Sequence, residues 1–193
     1  MPIGVLALQG DFREHIATLK TIGEPSIEVR TIEELESCHA LVIPGGESTV
    51  IQKLATNYEL FEPIKQRIAS GLPTFGTCAG LIMLAENILD GISGQAGFGG
   101  LDVAVRRNAF GNQLDSFETD LEFKGITGDP VHAAFIRAPI VEQVGAGVEV
   151  LSSLPDGRVV AVKQGNVMGI SFHPEVTGES RVHRLFLEMI AAA

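Results

Sequence analysis

Thr74-Phe75-Gly76-Thr77-Cys78-Ala79-Gly80-Leu81-Ile82 is the stretch whose reading decides the fold. A short β-type run enters Gly-x-Cys-x-Gly and leaves it as an apolar segment, read as a helix over residues 81–89. Glycines two before and two after a nucleophile permit a tight strand-to-helix turn that is often strained at its centre. Such a turn lifts the Cys78 sulfur above the carboxyl end of a sheet and beside a helix N-terminus, whose partial positive charge favours thiolate. It also aims the Ala79 N–H at the place where an oxyanion forms. The bland alternative is a buried cysteine in a glycine-rich βα loop.

Outward from this turn, short apolar runs alternate with helical patterns. Strands are expected over residues 3–8, 26–30, 40–43 and 74–75, and helices over 12–22, 32–37, 48–54 and 60–70. In the first helix, Phe12, Ile16, Leu19 and Ile22 fall at helical spacing. This alternation is the pattern of βα units around a mostly parallel sheet. Residues 91–100 hold five glycines and read as a loop. Short strands then follow one another over 101–105, 117–123, 134–136, 148–151, 159–163 and 167–172. Asp156-Gly157 and Gln164-Gly165-Asn166 are the turns of hairpins. A helix over 180–192 closes the chain. The fold class is therefore α/β, with antiparallel strands added in the second half.

Two further motifs sit at predicted strand ends. Phe172-His173-Pro174-Glu175 follows the last strand. In extended backbone, residues two apart point to the same side, so His173 and Glu175 are expected together, with Pro174 favouring that geometry. A carboxylate beside imidazole fixes its tautomer and stabilises the imidazolium formed when it takes a proton. Pro44-Gly45-Gly46-Glu47-Ser48-Thr49 ends the third strand. Its glycines let backbone N–H groups approach a ligand, and Ser48 or Thr49 is placed to cap a helix. In open α/β sheets ligands sit at the carboxyl ends of the strands, where these three loops meet.

The chain has 193 residues, with 14 basic and 24 acidic side chains for a net charge of −10. That balance, without a basic stripe, argues against nucleic acid and anionic membrane as partners. The N-terminus lacks a signal-peptide pattern and no apolar run reaches membrane-span length, so a soluble cytoplasmic protein with reduced thiols is expected. Cys38, without flanking glycines, reads as structural. His15, His39, His132 and His183 show no metal-ligand spacing and are expected at the surface, and no metal site is expected. Arg106, Arg107 and Arg137 are candidates to clamp a small carboxylate, with solvated surface charge as the other reading.

The Cys78 elbow and His173-Pro174-Glu175 resemble the nucleophile and base–orienter pair of the class I (triad) glutamine amidotransferases. Within that family the chain is similar to the branch of glutaminase subunits that serve pyridoxal 5′-phosphate synthase. The motifs carrying this are Gly4-Val5-Leu6-Ala7-Leu8-Gln9-Gly10, the Pro44–Thr49 and Cys78 segments, Arg107-Asn108-Ala109-Phe110-Gly111, Asp115-Ser116-Phe117-Glu118 and Phe135-Ile136-Arg137-Ala138-Pro139. Other class I members usually have Cys-Leu-Gly where this chain has Cys78-Ala79-Gly80.

The resemblance covers nearly the whole chain and implies one amidotransferase domain over residues 1–193 with a flavodoxin-like core. It implies a Cys78-His173-Glu175 triad that hydrolyses L-glutamine to glutamate and ammonia without metal or organic cofactor. Its glutamine-contacting positions map to Gly46, Glu47, Ser48, Arg107, Ile136 and Arg137, its oxyanion donors to Gly46 and Ala79, and its partner-linked position to Gln9. The implied partner is a synthase subunit in a large hetero-oligomer. The competing expectation is a glutaminase of another pathway, such as imidazole glycerol phosphate synthase. A noncatalytic module and a cysteine peptidase of similar architecture are the other readings.

Overall fold

The computed structural model describes residues 1–107, 109 and 116–193. In chain order come β1 (Ile3–Leu6), α1 (Phe12–Thr21), β2 (Ser26–Val29), α2 (Ile32–Glu36), β3 (Ala40–Ile43), α3 (Ser48–Asn57) and α4 (Phe61–Ala69). Then follow β4 (Thr74–Thr77), α5 (Ala79–Leu84), β5 (Ala85–Leu89) and β6 (Leu101–Arg106). The second half holds β7 (Ser116–Leu121), β8 (Val131–Ile136), β9 (Ile140–Val144), β10 (Glu149–Ser153), β11 (Val159–Gln164), β12 (Val167–Ile170), α6 (Pro174–Thr177) and α7 (Ser180–Ala191).

The main sheet runs β2-β1-β3-β4-β12-β11-β9-β6-β5, with β10 paired to β11. From β2 to β12 every pair is parallel, and β12-β11-β9-β6 is antiparallel. The order 2-1-3-4 followed by a fifth parallel strand is that of flavodoxin-like sheets. Here the fifth place goes to β12, from the far end of the chain. The expected α/β class, its mostly parallel centre and its late antiparallel strands are all borne out. Strands β7 and β8 form a separate antiparallel pair.

Alternation along the central strands feeds two cores, one on each face, as strands covered on both sides require. Ile3, Val5, Ala40, Val42 and Phe75 pack with Leu19 of α1 and Val182 and Phe186 of α7. Leu6, Leu41 and Ile43 pack on the other face with Ile51, Ile64, Leu81 and Met83 of α3, α4 and α5. The Phe75 and Phe186 rings lie 5.5 Å apart. No helix of the described residues is long and apolar enough to cross a membrane.

Three elements depart from the expected ones. The apolar helix ends at Leu84, because Ala85 turns extended with ψ 140°, and 85–89 pairs with β6 as a strand. Residues 140–144 form a strand that bridges β6 and β11. The segment after His173 is a short helix rather than extended chain.

Close packing at the elbow is the sharpest local constraint. A Cβ on Gly80 would collide with the Ile43 carbonyl oxygen, and one on Gly76 would lie 2.6 Å from the Gly80 carbonyl carbon. Backbone atoms cannot yield as a flexible side chain does, so Gly80→Ala should destabilise the fold by about 1–3 kcal/mol, the usual cost of overpacking. Urea unfolding measures this, and an unchanged midpoint would mean that α5 is free to move away from β3.

Candidate active site

Cys78 stands between β4 and α5 with φ 50° and ψ −103°. A non-glycine residue in such a region costs roughly 1–3 kcal/mol and persists only where its surroundings hold it. Here the Cys78 N–H donates to the Ile170 carbonyl at 2.8 Å, one step beyond the paired residues of β4 and β12. The side chain is 7% exposed, and its sulfur lies 3.9 Å from the Ile136 carbonyl oxygen. Ala79 opens α5, so its N–H is among the donors left unpaired at a helix start.

His173 follows β12 and donates its own N–H to the Ala134 carbonyl at 3.0 Å. It is the residue before α6, with Pro174 at the first helical position. Glu175 lies in that first turn, so a helix start brings the pair together where extended geometry was expected. The result is the same pairing: His173 Nδ1 donates to Glu175 Oε1 at 2.8 Å. With Nδ1 committed, the hydrogen bond to Cys78 falls to Nε2. Burial works against the charged imidazole, but Cys78 and Glu175 outweigh it and push the group up to about 10. Burial likewise pushes the Glu175 carboxyl up, while His173 pulls it back.

Asp11, immediately before α1, places its Oδ2 3.5 Å from His173 Nδ1. Burial raises its carboxyl, His173 lowers it, and Glu14 adds a smaller upward push. Asp11, His173 and Glu175 bring their ligand atoms within 4.8 Å of one another, a spacing compatible with a metal ion. Within this trio His173 Nδ1 lies 2.8 Å from Glu175 Oε1 and 3.5 Å from Asp11 Oδ2.

The glycine loop is gripped from the β1 turn. Gly45 C=O accepts from the Asp11 N–H at 3.1 Å. In a planar trans peptide the N–H lies opposite the carbonyl, so the Gly46 N–H faces away from that turn. Gln9 Oε1 accepts from the Glu47 N–H at 2.7 Å. A Cβ on Gly45 would strike the His173 ring, and one on Gly46 the Gln9 side chain, so both glycines are required by close approach.

A cleft of about 470 Å³ collects Gln9, Asp11, Gly46, Glu47, Ser48, Cys78, Ile82, Arg107, Ile136, Arg137 and His173. Ala79 and Glu175 stand behind this lining. Arg107 pairs with Glu47 Oε1 at 2.8 Å and donates to Gln95 Oε1 at 2.9 Å, and Gln95 donates to Ser48 Oγ at 2.9 Å. Gln95 was missed because a glycine-rich loop has no periodicity to mark a bridging side chain. Arg106 turns outward to Asp90 and Glu142 and does not line the cleft. Asn108 and Phe110–Asp115, which carry parts of two quoted motifs, lie outside the described residues.

The remaining histidines divide. His132 is exposed and His39 half-buried, but His15 and His183 are fully buried, which corrects the surface expectation. Cys38 is buried in the α2–β3 core, and burial raises its thiol above the ordinary range.

A cysteine at a strand-to-helix elbow with a His–Glu pair beside it, on a flavodoxin-like sheet, is the arrangement of the triad amidotransferase class. The model of the SNO glutamine amidotransferase family matches residues 5–192, and the chain belongs to that family. A relative from Leifsonia xyli subsp. xyli (strain CTCB07), named pyridoxal 5′-phosphate synthase subunit PdxT, is 59% identical over 96% of this chain and 93% of its own length. A second relative of that name, from Nocardioides sp. (strain ATCC BAA-499 / JS614), is 57% identical over 97% and 95%. A crystal structure of a glutamine amidotransferase is 49% identical, covers 99% of this chain and 100% of its own, and superposes with a TM-score of 0.92.

The raised His173 pKa rests on Cys78 as well as Glu175, so Cys78→Ala should lower it by about 1–3 units, the usual effect of losing an opposite charge. The proton is stabilised between the ordinary value and about pH 10, so the imidazolium contribution to stability is complete at low pH and lost as pH rises through about 10. NMR titration of the ring protons in both proteins checks this. An unmoved His173 would mean that sulfur and imidazole are not paired.

Proposed function

We propose that the chain is the glutaminase subunit of a pyridoxal 5′-phosphate synthase, acting as one amidotransferase domain over residues 1–193. The observation that carries this reading is the strained Cys78 beside a histidine whose Nδ1 is bound to Glu175 at 2.8 Å. The relatives named pyridoxal 5′-phosphate synthase subunit PdxT, at 59% and 57% identity, support the same assignment.

L-Glutamine enters the cleft with its charged end toward Glu47, Arg107 and Arg137, where a carboxylate and two guanidiniums complement an amino acid's ammonium and carboxylate. Gly46, Ser48 and Ile136 complete that end. The Cys78 thiolate attacks the side-chain carboxamide carbon, and the oxyanion is met by the N–H groups of Gly46 and Ala79. His173 gives its proton to the departing ammonia as the C–N bond breaks, leaving a γ-glutamyl thioester. It then takes a proton from water, which attacks the thioester, releases glutamate and returns the thiolate. Every step uses side chains and backbone alone, so no cofactor is invoked. Ammonia passes to a synthase partner in the cytoplasm, within a large hetero-oligomer.

Cys78→Ala should abolish glutamine hydrolysis while binding persists, and Cys38→Ala should leave turnover intact. His173→Asn should leave little turnover, and Glu175→Gln should cost less because the imidazole remains. Steady-state glutamate production reads all four. Residual full activity in Cys78→Ala, or a greater loss at Cys38, would overturn the mechanism.

The isolated chain should be a poor glutaminase that the partner switches on, because ammonia released to bulk water becomes a non-nucleophilic ammonium. The Gly45–Gly46 peptide is the natural switch. Rotating it exchanges N–H for carbonyl at the oxyanion, and losing one such donor costs about 10²–10³ in rate. Gln9, bonded to the Glu47 N–H, braces that loop. Glutamate production with and without the partner, in wild type and Gln9→Ala, tests both points. Equal activity with and without partner defeats the switch, and unaltered activation in Gln9→Ala removes only the role of Gln9.

A further inference from the structure

Behind the cleft, under α1 and α7, His15 and His183 are both 0% exposed, and the reaction above uses neither. Their rings are joined by a 2.9 Å contact between His15 Nδ1 and His183 Nε2. On the other side, His15 Nε2 lies 3.0 Å from Thr77 Oγ1 and 3.6 Å from Glu175 Oε1. Phe75 meets both rings edge-on. Burying two imidazoles opposes folding unless their polar atoms are used.

The tautomers follow from one orphan atom. His183 Nδ1 is buried with no hydrogen-bond partner among the described residues. A buried N–H without an acceptor is rarer than an unpaired acceptor, so this nitrogen carries the lone pair and the proton sits on Nε2. His183 therefore donates to His15 Nδ1. His15 is neutral, since burial first, then the neighbouring His183 and His173, hold it well below the ordinary range. Its single proton is thus on Nε2, aimed at Thr77 and Glu175. The first contact is a hydrogen bond and the second, at 3.6 Å, is electrostatic.

We propose that His15 is a positioning residue: its Nε2–H, oriented by His183, ties the residue before Cys78 to the carboxylate that orients His173. The proposal rests on the triad reading. Glu175 Oε1 accepts the hydrogen bond from His173 Nδ1 on one side and faces the His15 N–H dipole on the other, while Oε2 has no partner among the described residues. Cys78, Glu175 and Asp11 face His173, and His173, His15 and Asp11 act on Glu175. Without His15, burial disfavours the carboxylate more strongly, the imidazolium loses support and the thiolate fraction falls.

The test reads the thiol without glutamine. Full-length protein is alkylated with iodoacetamide across pH, with Cys78 separated from Cys38 by peptide mapping. His15→Leu should move the Cys78 midpoint up by about one pH unit, equivalent to a tenfold slower reaction below it. In turnover with the partner it should lower kcat more than it changes KM. His15→Gln, whose amide reaches the Nε2 position, should restore both within a few-fold, and His15→Asn, which reaches only Nδ1, should not. A folded His15→Leu with the wild-type midpoint overturns the assignment. Where the Leu variant does not fold, Gln and Asn variants with the same midpoint overturn it equally. A chain whose alkylation shifts as expected but never turns over glutamine supports His15 and sinks the glutaminase reading.

Discussion

The backbone at Cys78 is held in a conformation that no L-residue prefers, and the surrounding architecture is organised to keep it there. The strain of roughly 1–3 kcal/mol is balanced by local bonds, beginning with the 2.8 Å bond from Cys78 N–H to Ile170. That bond requires β12 beside β4 in parallel register, with Gly169 opposite Gly76 and Ile170 opposite Thr77. It also requires α5 to pack without side chains at Gly76 and Gly80. The same strand β12 leads directly to His173. One strand from the end of the chain thus locks the Cys78 turn and leads His173 to it. Phe75 of β4 and Phe172, two residues beyond β12, are both fully buried in the same core.

Charge balance explains how so many ionisable groups share a dry corner. His173 sits between a sulfur, the buried Glu175 and the half-exposed Asp11, so its positive charge is the one that burial permits. Its neighbours His15 and His183 are kept neutral, the latter pushed down to about 4 by burial. A second cation there would compete with His173 for Glu175. In the lining of the cleft the Arg107–Glu47 pair is partly solvated, so it is held more weakly than the buried groups.

Much of this was legible in the sequence, because glycine spacing and strand–helix alternation are local signals. The elbow, the glycine loop, and the His–Glu triplet all stand where the strand ends were expected. Local signals failed where apolar content was ambiguous. Leu81 to Leu89 reads equally as helix or buried strand, and only pairing with β6 makes its second half a strand. Strand β9 carries Glu142 and Gln143 and follows Pro139, so its identity comes from its partners on both sides. The buried histidines were legible in principle. His15 lies three after Phe12 and four before Leu19, and His183 lies three before Phe186, so helical spacing places both on the core faces. Polarity alone suggested the surface.

The turn Gln9-Gly10-Asp11 ties these parts into one unit. Gln9 holds the Glu47 N–H, the Asp11 N–H holds the Gly45 carbonyl, and the Asp11 carboxylate faces His173. Gly10 has φ 94°, and a Cβ there would collide with the Gly45 carbonyl oxygen, so turn and loop touch backbone to backbone. Helix α1 begins one residue later and carries His15 into the core against Thr77. The Gly45-Gly46 loop, His173 and strand β4 therefore share one short connection at the cleft's rim. A shift of this turn would reach Gly45, Glu47 and His173 through these contacts, without distorting the parallel core that keeps Cys78 in place.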